Sequence, residues 1–352
     1  MKEFWSRRIR DITPYAPGEQ PKDRQFIKLN TNECPYPPSP KVLAAIREAA
    51  GEALRLYPDP ECTQLRQSIA QREGLKPEQV FCGNGSDEIL AFAFQAFFDP
   101  GRDVVFPKIT YSFYPVYTDF FGLDCREVPM NPDFSDPVDL LCGRNGGVVL
   151  ANPNAPTGIA VGLDTVEKIL RANSDVAVIV DEAYVDFGAD SAVGLIGKYP
   201  NLLVIQTVSK SRALAGLRMG WAMGDENLIA ALRCVRDSVN SYTLDRLAQA
   251  GAAAAIEDEE YFQATRQKVM ATRAWTARAL EEKGFTVLPS LANFLFIRHP
   301  FHSGRKLLDG LRDRGILARW WNKPEIENWL RISIGTQDEM EALVRALDRL
   351  ES

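Results

Sequence analysis

The amino-acid sequence predicts an α/β fold: a large unit with a mostly parallel sheet wrapped by helices, and a smaller α+β unit beside it. Three observations lead there. Apolar runs at 103–106, 147–150, 176–180 and 202–208 are built largely from Val, Ile and Leu without polar alternation, the pattern of strands covered on both faces. Helix-like segments such as 164–171 fall between them, the alternation expected of a sheet wrapped by helices. Polar residues cluster just past the ends of three of these runs, at Asn152, Asp181 and Lys210. Open parallel sheets gather ligands at the carboxyl ends of their strands, so the three positions point to one shared site.

Taken in chain order, the first forty residues carry Pro14, Pro17, Pro21, Pro35, Pro37, Pro38 and Pro40, which reads as an arm and not as a core element. The α/β alternation runs from about 74 to 236 and closes on a helical stretch at 227–237. A long helical region at 259–283 then leads to strands at 285–288 and 294–298, a helix at 303–314, and strands at 316–319 and 330–334. A last helix spans 337–350, with Thr336 and Glu339 spaced as a capping box. The expected units are an arm at 1–28, a small α+β unit from 29–50 and 246–352, and a large unit at 51–245. No internal repeat and no low-complexity tract interrupts this order.

A chain of 352 residues, 45% hydrophobic, has ample material for a large core. Its net charge of -6, with both signs interspersed, leaves no basic stripe for nucleic acid. The charged start, through Trp5, Arg7 and Arg8, lacks the apolar core of a leader peptide, and no apolar run approaches bilayer length. Neither a nucleic-acid nor a membrane partner is expected. The six cysteines (Cys34, Cys62, Cys82, Cys125, Cys142, Cys234) show no C-x-x-C pair and no disulfide-like spacing, as for thiols in a reducing cytoplasm. The two histidines, His299 and His302, flank Pro300, which prevents the helical geometry of many metal pairs. No metal site and no His-based chemistry is expected.

Several short motifs carry the chemistry. Lys210 stands in Thr207-Val-Ser209-Lys210-Ser211, at the end of an apolar run and shortly before Arg218. An amine at the end of a buried strand, among hydroxyls and a guanidinium, suits a Schiff base with an aldehyde cofactor that also bears a phosphate, namely pyridoxal 5'-phosphate. Taken alone, a Ser-Lys-Ser run reads as a polar surface turn, and the rest of the chain overturns that reading. Gly83-Asn84-Gly85-Ser86-Asp87-Glu88 precedes a helix expected to begin near Ile89. Such a turn can hold a phosphate on free N–H groups, or simply be a tight turn with Ser86 as N-cap. Asn154, in Asn152-Pro-Asn-Ala-Pro-Thr-Gly158, follows one strand and offers a donor toward a phenolate oxygen, or only orders a turn. Asp181 ends another strand, where a buried carboxylate needs a partner: a protonated pyridine nitrogen would serve, and so would an N-cap or a structural ion pair.

In this order the motifs at 85–88, 152–158, 181–184, 209–211 and 215–220 resemble those of the fold-type I pyridoxal-phosphate enzymes, in particular the class II aminotransferases. Leu29-Asn30-Thr31-Asn32-Glu33, Arg55-Leu-Tyr57-Pro58, Thr110-Tyr111-Ser112, the Asn293-Phe294 pair and the run 330–336 are similar to the histidinol-phosphate branch of that family. The likeness covers nearly the whole chain. It implies amino transfer between histidinol phosphate and glutamate or 2-oxoglutarate. An aromatic amino acid aminotransferase and a threonine-phosphate decarboxylase share the same cofactor residues and stand as alternatives. A regulator with an aminotransferase-like domain would need a helix-turn-helix for which there is no room before Asn30.

The resemblance also implies roles. Lys210 would bind the cofactor aldehyde and move a proton, Asp181 would keep the pyridine nitrogen protonated, and Asn154 with Tyr184 would hold the ring's phenolic oxygen. Tyr111 would stack on one ring face and Ala183 pack the other. The phosphate would lie among the amides of Gly85, Ser86 and Asp87, the hydroxyls of Thr207 and Ser209, and Arg218, with Tyr57 reaching in from a second subunit of an obligate homodimer. For substrate it points to Arg319 and Arg331, with Tyr15, Asn30 and Asn154. A guanidinium grips carboxylate or phosphate alike, so one anion site can serve both half-reactions. The nearest competing role for either arginine is an ion pair with Glu325 or Glu327. Two positions depart from the family pattern: Cys34 stands where Asn is usual, and Trp320-Trp321 replace a smaller turn after Arg319.

Overall fold

The structure is a computed structural model that describes residues 4–22 and 24–351, without the side chains of 349–351. Residues 1–3 and 23 of the expected arm lie outside the described residues. A short helix α1 (Arg7–Arg10) and a two-residue strand β1 (Ile27–Lys28) bracket an otherwise irregular arm. Helices α2 (Pro40–Ala49) and α3 (Thr63–Glu73) follow, then β2 (Val80–Gly83), α4 (Gly85–Phe97), β3 (Val104–Pro107), α5 (Tyr114–Phe121) and β4 (Cys125–Val128). The central run continues through α6 (Val138–Leu141), β5 (Gly147–Ala151), α7 (Leu163–Ala172), β6 (Val178–Asp181), β7 (Leu202–Thr207) and β8 (Gly220–Gly224). The rest is α8 (Glu226–Val239), α9 (Arg246–Glu257), α10 (Glu259–Glu281), β9 (Thr286–Val287), β10 (Phe294–Arg298), α11 (Gly304–Asp313), β11 (Ile316–Leu317), β12 (Trp329–Ser333) and α12 (Gln337–Glu351).

Seven strands form one sheet in the order β2-β8-β7-β6-β5-β3-β4, parallel except for β8, which runs antiparallel to both neighbours. The apolar runs form its centre: every residue of β5, β6 and β7 is buried. Full burial of one such Val, Leu or Ile side chain contributes about 1.5–3 kcal/mol, which explains why these strands tolerate no polar alternation. In register, Ala151 sits opposite Asp181 and Asp181 opposite Ile205, so the strand ends that precede Asn152, Glu182 and Val208 lie along one edge.

The smaller unit joins β12-β10-β9 into an antiparallel sheet, while β1 pairs in parallel with β11. The capping box closes reciprocally: the Thr336 N–H donates to Glu339 Oε2 at 2.7 Å and the Glu339 N–H to Thr336 Oγ1 at 3.3 Å. The expected strand at 316–319 ends at Leu317, and Arg319 meets Arg331 only through an isolated antiparallel bridge.

Strands β1, β2, β4 and β8 have no counterpart in the sequence reading, nor do helices α1, α2, α3 and α9. β4 is an edge strand with three of its four residues not fully buried, so it lacks the apolar signal. α9 is Ala-rich and packs Ala248, Ala252 and Ala255 into the same core as Val42 and the large sheet. Helix α4 starts at Gly85, four residues before the expected start at Ile89. Ser86 therefore lies in its first turn and is not its N-cap; instead Glu88 reaches back and accepts the Asn84 N–H at 2.6 Å. Among the described residues no helix is long and apolar enough to cross a membrane.

Candidate active site

A cleft of about 870 Å³ opens at the carboxyl edge of the large sheet, between it, the smaller unit and the arm. Lys210 lies half-buried in its wall, its Nζ 3.2 Å from the Thr31 carbonyl and 5.9 Å from the Tyr184 ring centroid. Burial, and next the Arg331 charge, push its amine down to about 8. Asp181, at the end of β6, is buried at 5% exposure and accepts a hydrogen bond from Tyr114 Oη at 2.8 Å. Burial raises its carboxyl to about 6, against the lowering effect of the Tyr114 hydroxyl. Among the described residues it has no ion-pair partner, which removes the competing structural salt bridge.

The residues expected to cradle a phosphate meet where α4 begins. Gly85 has φ +80°, and a Cβ there would meet Arg218 Nη2 at 2.6 Å, so only glycine lets the guanidinium lie over the helix start. Ser86, Asp87, Thr207, Ser209 and Arg218 all border the cleft. Thr207 Oγ1 lies 2.9 Å from Ser209 Oγ. The Asp87 carboxylate accepts from Tyr111 Oη at 2.8 Å and from Arg218 Nη2 at 3.3 Å, fixing the ring and the cation together. Tyr111, Ala183 and Tyr184 also line the cleft.

Two expected residues sit elsewhere. Asn154 is buried behind the wall: its Nδ2 donates to the Ile109 carbonyl at 2.9 Å and to Thr157 Oγ1 at 3.0 Å, and its Oδ1 accepts from Thr110 Oγ1 at 2.8 Å. In this geometry its donors serve the turn, not the cleft. Tyr57 is 77% exposed on this single chain and stacks on Tyr242 at 4.5 Å. Conversely, Asn32 was missed. It is buried, lines the cleft and donates to Tyr184 Oη at 3.0 Å, while Ser333 Oγ donates to its Oδ1 at 2.9 Å. The signal was its place in the Asn30-Thr31-Asn32 run. Tyr114 was missed because only the fold brings it to Asp181.

At the substrate side, Arg319 and Arg331 both border the cleft. Neither pairs with Glu325 or Glu327; Glu325 is held by Lys108. Arg331 donates to the Asn30 carbonyl at 3.0 Å, its Nε is buried without a partner, and burial lowers its pKa. Arg319 donates to the carbonyls of Ala16 at 3.0 Å and Pro17 at 3.4 Å, tying the arm down. Tyr15 on that arm stacks on Phe113 at 4.3 Å and borders the cleft. Asn30 lines it too, with its Oδ1 buried and unpartnered. Cys34 is half-buried and lies outside the lining.

Known proteins are similar to this chain in sequence and fold. The chain is 53% identical over 340 residues to the histidinol-phosphate aminotransferase of Clostridium acetobutylicum, covering 97% of each. It is also 53% identical over 350 residues to histidinol-phosphate aminotransferase 1 of Methylococcus capsulatus, covering 99% of this chain and 98% of that one. Among solved structures, histidinol-phosphate aminotransferase from Sinorhizobium meliloti in complex with pyridoxal-5'-phosphate superposes with a TM-score of 0.85 at 28% identity, covering 93% of this chain and 91% of that one. Aspartate aminotransferase from Thermus thermophilus with maleate shares the fold, with a TM-score of 0.84 at 20% identity, covering 98% of this chain and 99% of that one. The profile of the family described as aminotransferase class I and II matches residues 24–347, and the chain belongs to that family.

Proposed function

We propose that the protein is a pyridoxal-phosphate-dependent aminotransferase that moves the amino group of L-histidinol phosphate to 2-oxoglutarate, giving imidazole acetol phosphate and L-glutamate, a step of histidine biosynthesis. The observation that carries this reading is the meeting, in one cleft, of a buried amine, an unpaired buried carboxylate and two arginines without carboxylate partners. Full-length identity with curated histidinol-phosphate aminotransferases supports the choice of substrate.

The residues present fit the cofactor. Burial raises the Asp181 carboxyl to about 6, and a protonated ring nitrogen would supply the cation that favours its ionised form. The amides at the start of α4, with Thr207, Ser209 and Arg218, would hold the phosphate dianion. Tyr184, positioned by Asn32, would donate to the phenolic oxygen, and Tyr111 and Ala183 would bracket the ring. Pyridoxal phosphate, when bound, supplies an aldehyde that condenses with amines and a ring that withdraws electrons from the amine-bearing carbon. Lys210 then does the proton work. With its pKa near 8 an appreciable neutral fraction exists at neutral pH, and its Nζ can take the proton from the amine-bearing carbon of the substrate and hold it for return.

Arg319 and Arg331 would grip the phosphate of one substrate and a carboxylate of the other, with Tyr15 and Asn30 completing the wall. Asn154 would act through the turn it orders. A homodimer fits the exposed apolar stretch Leu54, Leu56 and Tyr57, 54%, 52% and 77% exposed, which a second copy would cover while lending Tyr57 to the neighbouring phosphate. Six free cysteines fit the reducing conditions of a cytoplasmic enzyme. A coupled assay of the purified protein with 2-oxoglutarate tests the reading: glutamate should form fastest from histidinol phosphate. Faster turnover of phenylalanine, or carbon dioxide release from threonine phosphate, would refute it.

A further inference from the structure

We propose that Trp321 is a positioning residue for anion recognition: its indole face holds the guanidinium groups of Arg319 and Arg331 side by side and leaves the N–H donors that backbone carbonyls do not take for the substrate's doubly charged group. The inference rests on the reading that these two arginines take the substrate's phosphate. Both cations lie against the same ring. Arg331 Cζ is 5.3 Å and Arg319 Cζ 5.5 Å from the Trp321 centroid, and the ring of fully buried Phe294 lies 5.4 Å from Arg331. Two like charges this close repel, and Arg319 is among the causes that lower Arg331.

Something must hold them together before an anion arrives. A carboxylate would do so by occupying the same N–H forks the substrate needs. An aromatic face attracts a cation through its quadrupole and engages no N–H donor. Neither arginine has an ion-pair partner among the described residues; both use backbone carbonyls and rings instead. Trp321 itself stands behind them, outside the cleft lining, packed on the cluster of Ile109, Phe296, Ile326 and Trp329. Its place directly after Arg319 and Trp320 sets it within reach of both cations.

The test uses the holoenzyme, in which the cofactor fills the other phosphate cradle, with Trp321→Leu and Trp321→Phe beside wild type. Inorganic phosphate binding is measured by calorimetry, and KM and kcat with histidinol phosphate. Trp321→Leu should weaken phosphate and raise KM about tenfold, with kcat within about threefold, and Trp321→Phe should recover most of the loss because it keeps a ring face. Unchanged phosphate binding in Trp321→Leu, or no advantage of Phe over Leu, overturns the proposal. Should Trp321→Leu fail to fold, Trp321→Phe alone decides: its weaker quadrupole should give a loss of about two- to threefold, and no loss overturns the role. If histidinol phosphate proves not to be a substrate while phosphate binding still falls in the order Trp, Phe, Leu, the substrate reading fails and the positioning role stands. Turnover of histidinol phosphate with phosphate binding constant across the series overturns the positioning role and leaves the substrate reading intact.

Discussion

Asp181 and Lys210 are each held away from their ordinary ionisation by the same burial, in opposite directions along the pH axis. The Asp181 carboxyl is raised from 3.8 to about 6 and the Lys210 amine lowered from 10.5 to about 8. Between pH 3.8 and about 6 the folded, cofactor-free chain keeps a proton on Asp181 that the unfolded chain has released, so this group's contribution to stability is lost as pH rises through that window. For Lys210 the contribution is present above 10.5 and is lost as pH falls through about 8. At neutral pH both groups thus oppose folding in the absence of cofactor. Asp181→Asn removes one of them: the cofactor-free variant should be more stable at pH 7 than wild type, by at most about 3 kcal/mol, and this gain should shrink toward pH 4. The same variant should lose at least about tenfold in kcat, and kcat/KM with it, because a neutral amide no longer favours the protonated ring nitrogen. Denaturant melts at pH 4 and 7 with steady-state kinetics check this; a variant that is both less stable at pH 7 and as active as wild type would contradict the assigned role.

Helix α4 and strand β8 form one corner under the proposed phosphate cradle. Gly220 begins β8 directly against the start of α4: a Cβ there would stand 2.6 Å from the Ser86 amide nitrogen and 2.9 Å from the Gly85 carbonyl carbon. Both contacts are backbone, so neither can rotate away. Gly220→Ala should push the helix start off the sheet, an overpacking change of about 1–3 kcal/mol, and misaim the amides proposed to hold the phosphate. The expected outcome is about a tenfold or larger rise in the dissociation constant for pyridoxal phosphate, read by titrating the cofactor-free protein and following absorbance. Wild-type affinity would mean that these amides do not form the cradle. Little of this corner was legible beforehand. The Gly-Ser-Asp-Glu run was visible, but β8 was not recognised as a strand and the helix was placed to begin near Ile89, because Gly85 at positive φ disguises the first turn.

At the scale of the whole molecule, one chain provides every element of the cleft except the contribution proposed for Tyr57, which points outward at 77% exposure beside Tyr242. In a homodimer with shared sites, Lys210→Ala and Tyr57→Ala chains should each be impaired alone. After subunit exchange about one quarter of the sites regain both residues, and activity should return in proportion. The experiment requires a Tyr57→Ala chain of low activity and proof of exchange by mass; exchanged chains that stay inactive would show that Tyr57 acts within its own subunit or not at all.

The sequence by itself determined the parallel core, because Val, Ile and Leu runs buried on both faces leave an unmistakable pattern in β5, β6 and β7, and it located Lys210, Asp181 and the glycine turn, because motif chemistry is local. The family resemblance also marked Arg319 and Arg331 as anion-binding candidates. Only the tertiary structure decided what surrounds them. Tyr114 reaches Asp181 across 67 positions and Asn32 reaches Tyr184 across 152, pairings that no local pattern encodes. Asn154 turned its donors inward to Ile109 and Thr157, since a buried amide must be satisfied by whichever groups lie closest. The ladder of Arg319, Trp321, Arg331 and Phe294 likewise depends on the bridge between Arg319 and Arg331, which lie on segments joined only in the fold. Residue type and local spacing specify what chemistry a side chain can do, whereas burial and long-range partners, which set its charge state and aim, exist only once the chain has closed on itself.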